Sequence, residues 1–250
     1  MRLIFTSLLI ILCLGSLRAQ ADEIRNEYPV FLFNISYGYH LPIGDLSDRF
    51  GGSSSVGIAT EFITKTSNWI FGVDGSFSFG NNVNEDPIAN LRTSDGFVIG
   101  NSKAFADIVL KERGWYIGGH IGKLWTLSER NSRNGIRTTF GVGVMQHKIR
   151  IQDDPNNFVN GLDQTYKKGY DRLTNGLAFR EFIGYQYMAT NRQINFYAGF
   201  EFTQGFTQNR RSFNYDTQEA DTKSRFDGRI GIRLGWTLPI YTGDGEDTFY

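Results

Sequence analysis

Six charged residues, Glu61, Asp74, Glu201, Asp227, Arg229 and Arg233, fall on the small-and-polar face of runs that otherwise alternate with apolar residues. Carboxylates and guanidinium groups gathered on one enclosed face can do one of two things. They can build an active site or a proton path, which needs groups in mutual reach around a reacting centre. Or they can neutralise one another, which any charge shut away from water requires whatever its function. The second reading asks for nothing beyond burial, and a structural salt-bridge network is the expectation. The histidines, His40, His120 and His147, do not change this. No two have the close spacing of a helical zinc motif, and the single cysteine, Cys13, sits in the apolar leader. His40 lies near Asp45, but no nucleophile elbow or comparable catalytic motif accompanies the pair. The chain reads as no enzyme, without cofactor or metal.

A second cluster has the chemistry of contact rather than catalysis. Tyr166, Lys167, Lys168, Tyr170 and Arg172 interleave cations with aromatic rings in a polar stretch. Tyrosine and arginine are enriched where proteins bind partners. The same residue types also gather where a protein meets lipid headgroups. A partner surface and a lipid contact are both open at this point.

The elements that must position these residues are strands. In Ile194–Thr203, Ile194, Phe196, Ala198, Phe200 and Phe202 alternate with Asn195, Tyr197, Gly199, Glu201 and Thr203. In the run ending at Trp236, Ile230, Ile232 and Leu234 alternate with Arg229, Gly231, Arg233 and Gly235. A period of two puts one set on each face. Similar runs cover 30–40, 55–64, 69–79, 115–125, 136–151 and 177–188. The pattern slips near Gln146–Lys148, where a bulge or an exit from the membrane is expected. The strand at 177–188 is blemished by adjacent Arg180 and Glu181, and Ala104–Leu110 reads equally as a strand extension or a helical turn.

Eight strands result, and the connections alternate in length. The longer ones are 41–54, 80–113, 152–176 and 207–224; the shorter are 65–68, 127–135 and 189–193. An even strand number with short turns at one end and long loops at the other is the signature of an outer-membrane β-barrel. Apolar faces then meet lipid, and the six charges line the lumen. Eight strands leave an interior that side chains just fill, so an all-β, eight-stranded antiparallel transmembrane barrel with no open pore is expected.

The ends and the composition agree with that class. Arg2, an apolar run over Leu3–Leu14 and small residues to Ala21 describe a secretory signal peptide, with cleavage after Ala19 or Ala21. The expected organisation is a signal peptide over 1–21, the barrel over 22–241 and a periplasmic tail over 242–250. Without Arg2 and Arg18 the chain keeps 24 basic against 26 acidic residues, a formal charge of −2. That balance argues against nucleic acid as a partner. Twenty-one Phe, 12 Tyr, 4 Trp and 29 Gly are high aromatic and glycine contents, and Pro is scarce at 5.

Several strings resemble one family. They are MQHKIRI over Met145–Ile151, YKKGYDRLTNG over Tyr166–Gly176, FIGY over Phe182–Tyr185 and INFYAGFEFTQGFTQ over Ile194–Gln208. Arg210, Arg211, the Asp227–Trp236 strand and the ending WTLPIY at Tyr241 extend the match. They resemble PorG, the small outer-membrane barrel of the type IX secretion and gliding machinery of Bacteroidetes. The resemblance is strongest over 140–241 and carries no catalytic residues. It implies a structural subunit, embedded in the outer-membrane lipid bilayer and associated with a periplasmic ring made of a lipoprotein and its partner. The alternative is a free-standing barrel that serves envelope integrity or surface adhesion through loops 80–113 and 152–176.

Overall fold

The computed structural model describes residues 28–128, 131–189 and 193–241. The expected signal peptide and the 242–250 tail lie outside the described residues. In chain order the elements are β1 (Val30–Gly44), α1 (Asp45–Arg49), β2 (Ser53–Ile63), β3 (Trp69–Gly80), the short pair β4 (Val98–Ile99) and β5 (Phe105–Ala106), then β6 (Val109–Thr126), β7 (Gly135–Gln152), β8 (Thr174–Met188), β9 (Asn195–Asn209) and β10 (Ser224–Tyr241). Eight of these close into one antiparallel barrel in the order β1-β2-β3-β6-β7-β8-β9-β10, with β10 returning to β1. The expected fold is the observed one.

Closure removes every sheet edge, so all ladder hydrogen bonds are made within the wall. Alternation then sorts the side chains. Outward residues such as Ile58 and Phe200 are 69% and 66% exposed, in a lipid-facing belt of aliphatic and aromatic groups. At the rim carrying the short turns, Lys123 lies 5.2 Å from the Trp69 ring and 5.3 Å from the Trp125 ring. A cation among tryptophans is the residue mix of a membrane interface. No helix among the described residues is long and apolar enough to cross a membrane; the strands do the crossing. This is an outer-membrane β-barrel.

Three local expectations change. There is no bulge at Gln146–Lys148, because β7 keeps one register against β6 from Val109↔Gln152 to Thr126↔Gly135. Its phase is intact and only the polarity of its faces inverts. Met145, His147, Ile149 and Ile151 point inward and are buried, while Gln146, Lys148 and Arg150 point outward. The strand has left the lipid, and its inner face packs under a folded head. Arg180 and Glu181 are likewise no blemish: one faces the lumen and the other the lipid. Finally, Ala104–Leu110 splits into β5, paired with β4, and the first two residues of β6.

The head is built by the long loops. Ile88, Val98, Ile108, Ile151, Val159 and Leu162 form one apolar cluster, and Leu46, Phe50 and Ile149 a second over the barrel mouth. The entry to α1 is fixed by Gly44 at φ 67°, where a Cβ would stand 2.4 Å from the Phe226 carbonyl oxygen. Only glycine suits that site. Asp45 then reaches β10, accepting from Lys223 Nζ and from the Phe226 amide, each at 2.8 Å. The Lys223 hydrogen bond, helped by the Phe226 amide, holds the Asp45 carboxyl below its ordinary range. A depressed carboxyl stabilises the fold above its unfolded value, near 4, and loses that contribution as pH falls through the folded value. Hydrogen exchange at the Phe226 amide, compared at equal intrinsic rate, should therefore show full protection at pH 6 and reduced protection below pH 4. Unchanged protection at acid pH would refute the latch.

Candidate functional site

The lumen gathers buried charged groups in layers. At the floor, Val30, Leu32, Ile63, Ile70, Leu124 and Met188 turn inward and are buried. Arg133, fully buried on the β6–β7 connection, donates to the Thr64 carbonyl at 3.1 Å, to Asn68 Oδ1 at 2.5 Å and to the Tyr28 carbonyl. Apolar side chains and one guanidinium thus close the end that carries the short turns.

Above the floor lies a continuous ionic tier. Arg137 donates to Gln186 Oε1 at 3.0 Å and pairs with Glu61. His120 bridges two carboxylates, with Nε2 3.0 Å from Glu61 and Nδ1 3.2 Å from Asp74. The other Asp74 oxygen is 2.7 Å from Arg180 Nη1, and Arg180 Nε is 3.8 Å from Glu201. Glu201 in turn takes His40 Nε2 at 3.0 Å and Arg233. Three carboxylates meet three guanidinium groups, so the tier is neutral without any histidine proton. Aromatic faces complete it: Arg180 lies 3.6 Å from the Tyr116 ring centre and Arg137 4.6 Å from that of Tyr197. Such contacts add stability where the cation is desolvated.

A second tier sits nearer the head. Arg229 reaches Glu112 at 2.7 Å and Ser78 Oγ at 2.6 Å. His147 Nε2 is 2.8 Å from Asp227, which also accepts from Thr207. Above it Arg49 bonds Glu85 at 2.9 Å and Thr174 at 2.8 Å. In the middle tier a cavity of about 20 Å³ lies next to Glu61, Asp74, His120 and Arg233. That holds about one water. There is no open pore.

Of the residues singled out from sequence, Glu61, Asp74, Glu201 and Arg233 come together in the middle tier. Asp227 and Arg229 lie in the upper one, joined to His147 and Glu112 rather than to each other. His40 and Asp45 do not meet: His40 turns into the lumen, Asp45 out to Lys223. Sequence reasoning missed Arg137, Arg180 and Glu112. The signal was there, since four acids had been set against two arginines and a neutral lumen required two more. Both extra arginines sit on inward positions of their strands.

The basic tyrosine segment divides. Tyr166–Gly169 is a short 3-10 turn, and Tyr166 and Tyr170 pack edge-on against Tyr215 at 5.9 and 5.5 Å. Lys167 is paired with Asp153. Arg172 is a correction, for it is only 4% exposed, bonded to Glu85 at 2.7 Å and to Asp216. A side chain committed to two carboxylates inside the head cannot serve as a surface contact.

No family model and no curated protein matches the chain. Among solved structures it is similar to Neisserial surface protein A, at 12% identity over 83% of this chain and 96% of that one, with a TM-score of 0.40. The outer membrane protein OprG from Pseudomonas aeruginosa gives 11% identity, 89% and 100% coverage and 0.40. Ail, the attachment invasion locus protein of Yersinia pestis, gives 10%, 84% and 99%, and 0.34. At such identities and scores the likenesses say nothing of what this barrel does.

Proposed function

We propose that this barrel is a non-enzymatic outer-membrane subunit of the type IX protein secretion and gliding machinery, associating with its periplasmic ring. The observation that carries the reading is the filled lumen. Closed by an apolar floor, two charged tiers and a folded head, it offers no path for a solute and no chamber for a substrate. The work of such a barrel is done by its surfaces. The strings that resemble the PorG family support this assembly, and the end carrying the short turns 65–68, 127–135 and 189–193 is the side that would meet the ring.

A feature of the outer wall supports a subunit over a free-standing barrel. Glu181 faces lipid in the middle of β8, between Phe140 on β7 and Phe202 on β9. Among the described residues its one hydrogen-bond donor is Gln204 Nε2, at 3.4 Å on the same face. A carboxylate at mid-belt is unfavourable against hydrocarbon and favourable against a protein donor. An embedded partner covering β7–β9 would meet it.

The test is a pull-down of the tagged protein from native outer membranes in mild detergent. Recovery of ring lipoproteins and motor components with the wild type, reduced at least fivefold with Glu181→Leu, is the expected result. Recovery of the barrel alone across several detergents would overturn the subunit reading. That result would favour a free-standing adhesive barrel, for which Phe97, Ile99, Phe105 and Phe158, exposed on the head, are the available surface.

A further inference from the structure

The charges inside the barrel are matched; those just outside it, above the belt, are not. On the outer face of β6 and β7, Arg113 lies directly opposite Lys148, and Lys111 directly opposite Arg150. Like charges in direct cross-strand register repel. A neutral chain with 26 acidic residues had acids to place among them, and Glu112, on the same strand, points inward to Arg229 instead. The loop 152–176 adds Lys168 to the same place, and with Arg113, Lys148 and Arg150 it borders an open cleft of about 690 Å³. Its other two cations are already taken, Lys167 by Asp153 and Arg211 by Asp171. Among the described residues, no carboxylate comes within salt-bridge distance of Arg113, Lys148, Arg150 or Lys168. The cleft holds four unmatched positive charges.

Its height on the wall says what kind of anion it meets. Down the outer face of β6, Lys111 and Arg113 give way to Trp115 and then to Ile117, which is 64% exposed in the belt. Down β7, Arg150 and Lys148 give way to Gln146 and then Val144. Phe77, paired with Trp115, forms the cleft's lower edge. Two strand residues span roughly 7 Å, so the cations stand about one such step above the aromatic rim. That is where acyl chains end and headgroups begin. The long loops place this rim in the outer leaflet.

We propose that this cleft binds the phosphate groups of a phosphorylated glycolipid of the outer leaflet, with Arg113, Lys148, Arg150 and Lys168 on the phosphates and Phe77 and Trp115 against the first methylenes. Guanidinium groups suit phosphate because they donate in a fork, and the lysines add mobile point charges. One bound lipid would also tie β6 and β7 to the loop that follows them. The site is independent of the secretion reading, since it concerns the lipid-facing collar and no protein partner.

The test uses the purified mature barrel in a nonionic detergent, with bound lipid counted by native mass spectrometry. The probes are diphosphoryl lipid A, the same lipid after enzymatic removal of its phosphates, and inorganic phosphate. The wild type should bind the diphosphoryl form at least tenfold more tightly than the dephosphorylated form. Lys148→Gln with Arg150→Gln should lower that affinity tenfold or more, while Lys123→Gln, a cation at the opposite rim, should leave it unchanged. Heat-modifiable gel migration checks that each variant remains a folded barrel. Should the double variant fail to fold, each single substitution should still weaken binding about threefold. Equal retention of the two lipids, or a folded double variant with undiminished affinity, would overturn the proposal. Displacement of the lipid by equimolar inorganic phosphate would do so too, reducing the cleft to a site for small anions.

Discussion

Glu201→Leu is expected to cost this barrel about 3–5 kcal/mol, the range for removing one member of a buried charge cluster. Among the described residues, Glu201 is the only carboxylate within salt-bridge distance of His40 and Arg233, and it lies 3.8 Å from Arg180 as well. Its loss leaves Arg233 buried with no carboxylate in salt-bridge reach among the described residues, a penalty larger than the pair's own net worth. Glu181→Leu, on the neighbouring strand, should do the opposite in plain lipid vesicles. That carboxylate faces hydrocarbon, so its removal is expected to be neutral or to stabilise by about 1 kcal/mol. Urea unfolding of the two variants from vesicles, followed by tryptophan fluorescence, gives both numbers. Equal effects of the two substitutions would show that the assigned faces are wrong.

The second large effect is expected at a glycine. Gly118 and Gly143 oppose each other on the inner faces of β6 and β7, and the Tyr116 ring lies over them beneath Arg180. A Cβ on Gly143 would stand 2.3 Å from the Ile117 carbonyl oxygen and 2.8 Å from the Tyr116 ring. Gly143→Leu should therefore push Tyr116 from its place and separate Arg180 from its aromatic face, at about 3 kcal/mol for overpacking. Gly119→Leu is the matched control. It faces lipid, with nothing nearer than 3.7 Å to a new Cβ, and should be neutral or mildly stabilising. Loss of stability at Gly119 comparable to that at Gly143 would refute the account of the lumen as a close-packed interior.

Both expectations use what period-two alternation makes legible. Because successive strand residues point to opposite faces, sequence alone separated Glu201 from Phe200 and Arg233 from Ile232, and strand count with loop length gave the barrel. These are local properties, set by neighbours in the chain. The same rule assigns Arg180 inward and Glu181 outward, although side by side they resemble a fault in the pattern.

What alternation cannot give is who meets whom across the lumen. Arg180 finds Asp74 at a separation of 106 residues, Arg229 finds Glu112 at 117, and His40 finds Glu201 at 161. Those partners depend on strand register and barrel closure, which set the height of every side chain and are nowhere written in a single run. The head shows the same division. From sequence, the stretch near Gln146–Lys148 read as a lost phase, because an apolar face was equated with lipid. Only the tertiary fold, by laying loops over the barrel mouth, turns the apolar face inward and leaves the cations outside. The sequence by itself determined which residues share a face; the closed wall and its folded head decided whether that face meets lipid, water or another side chain.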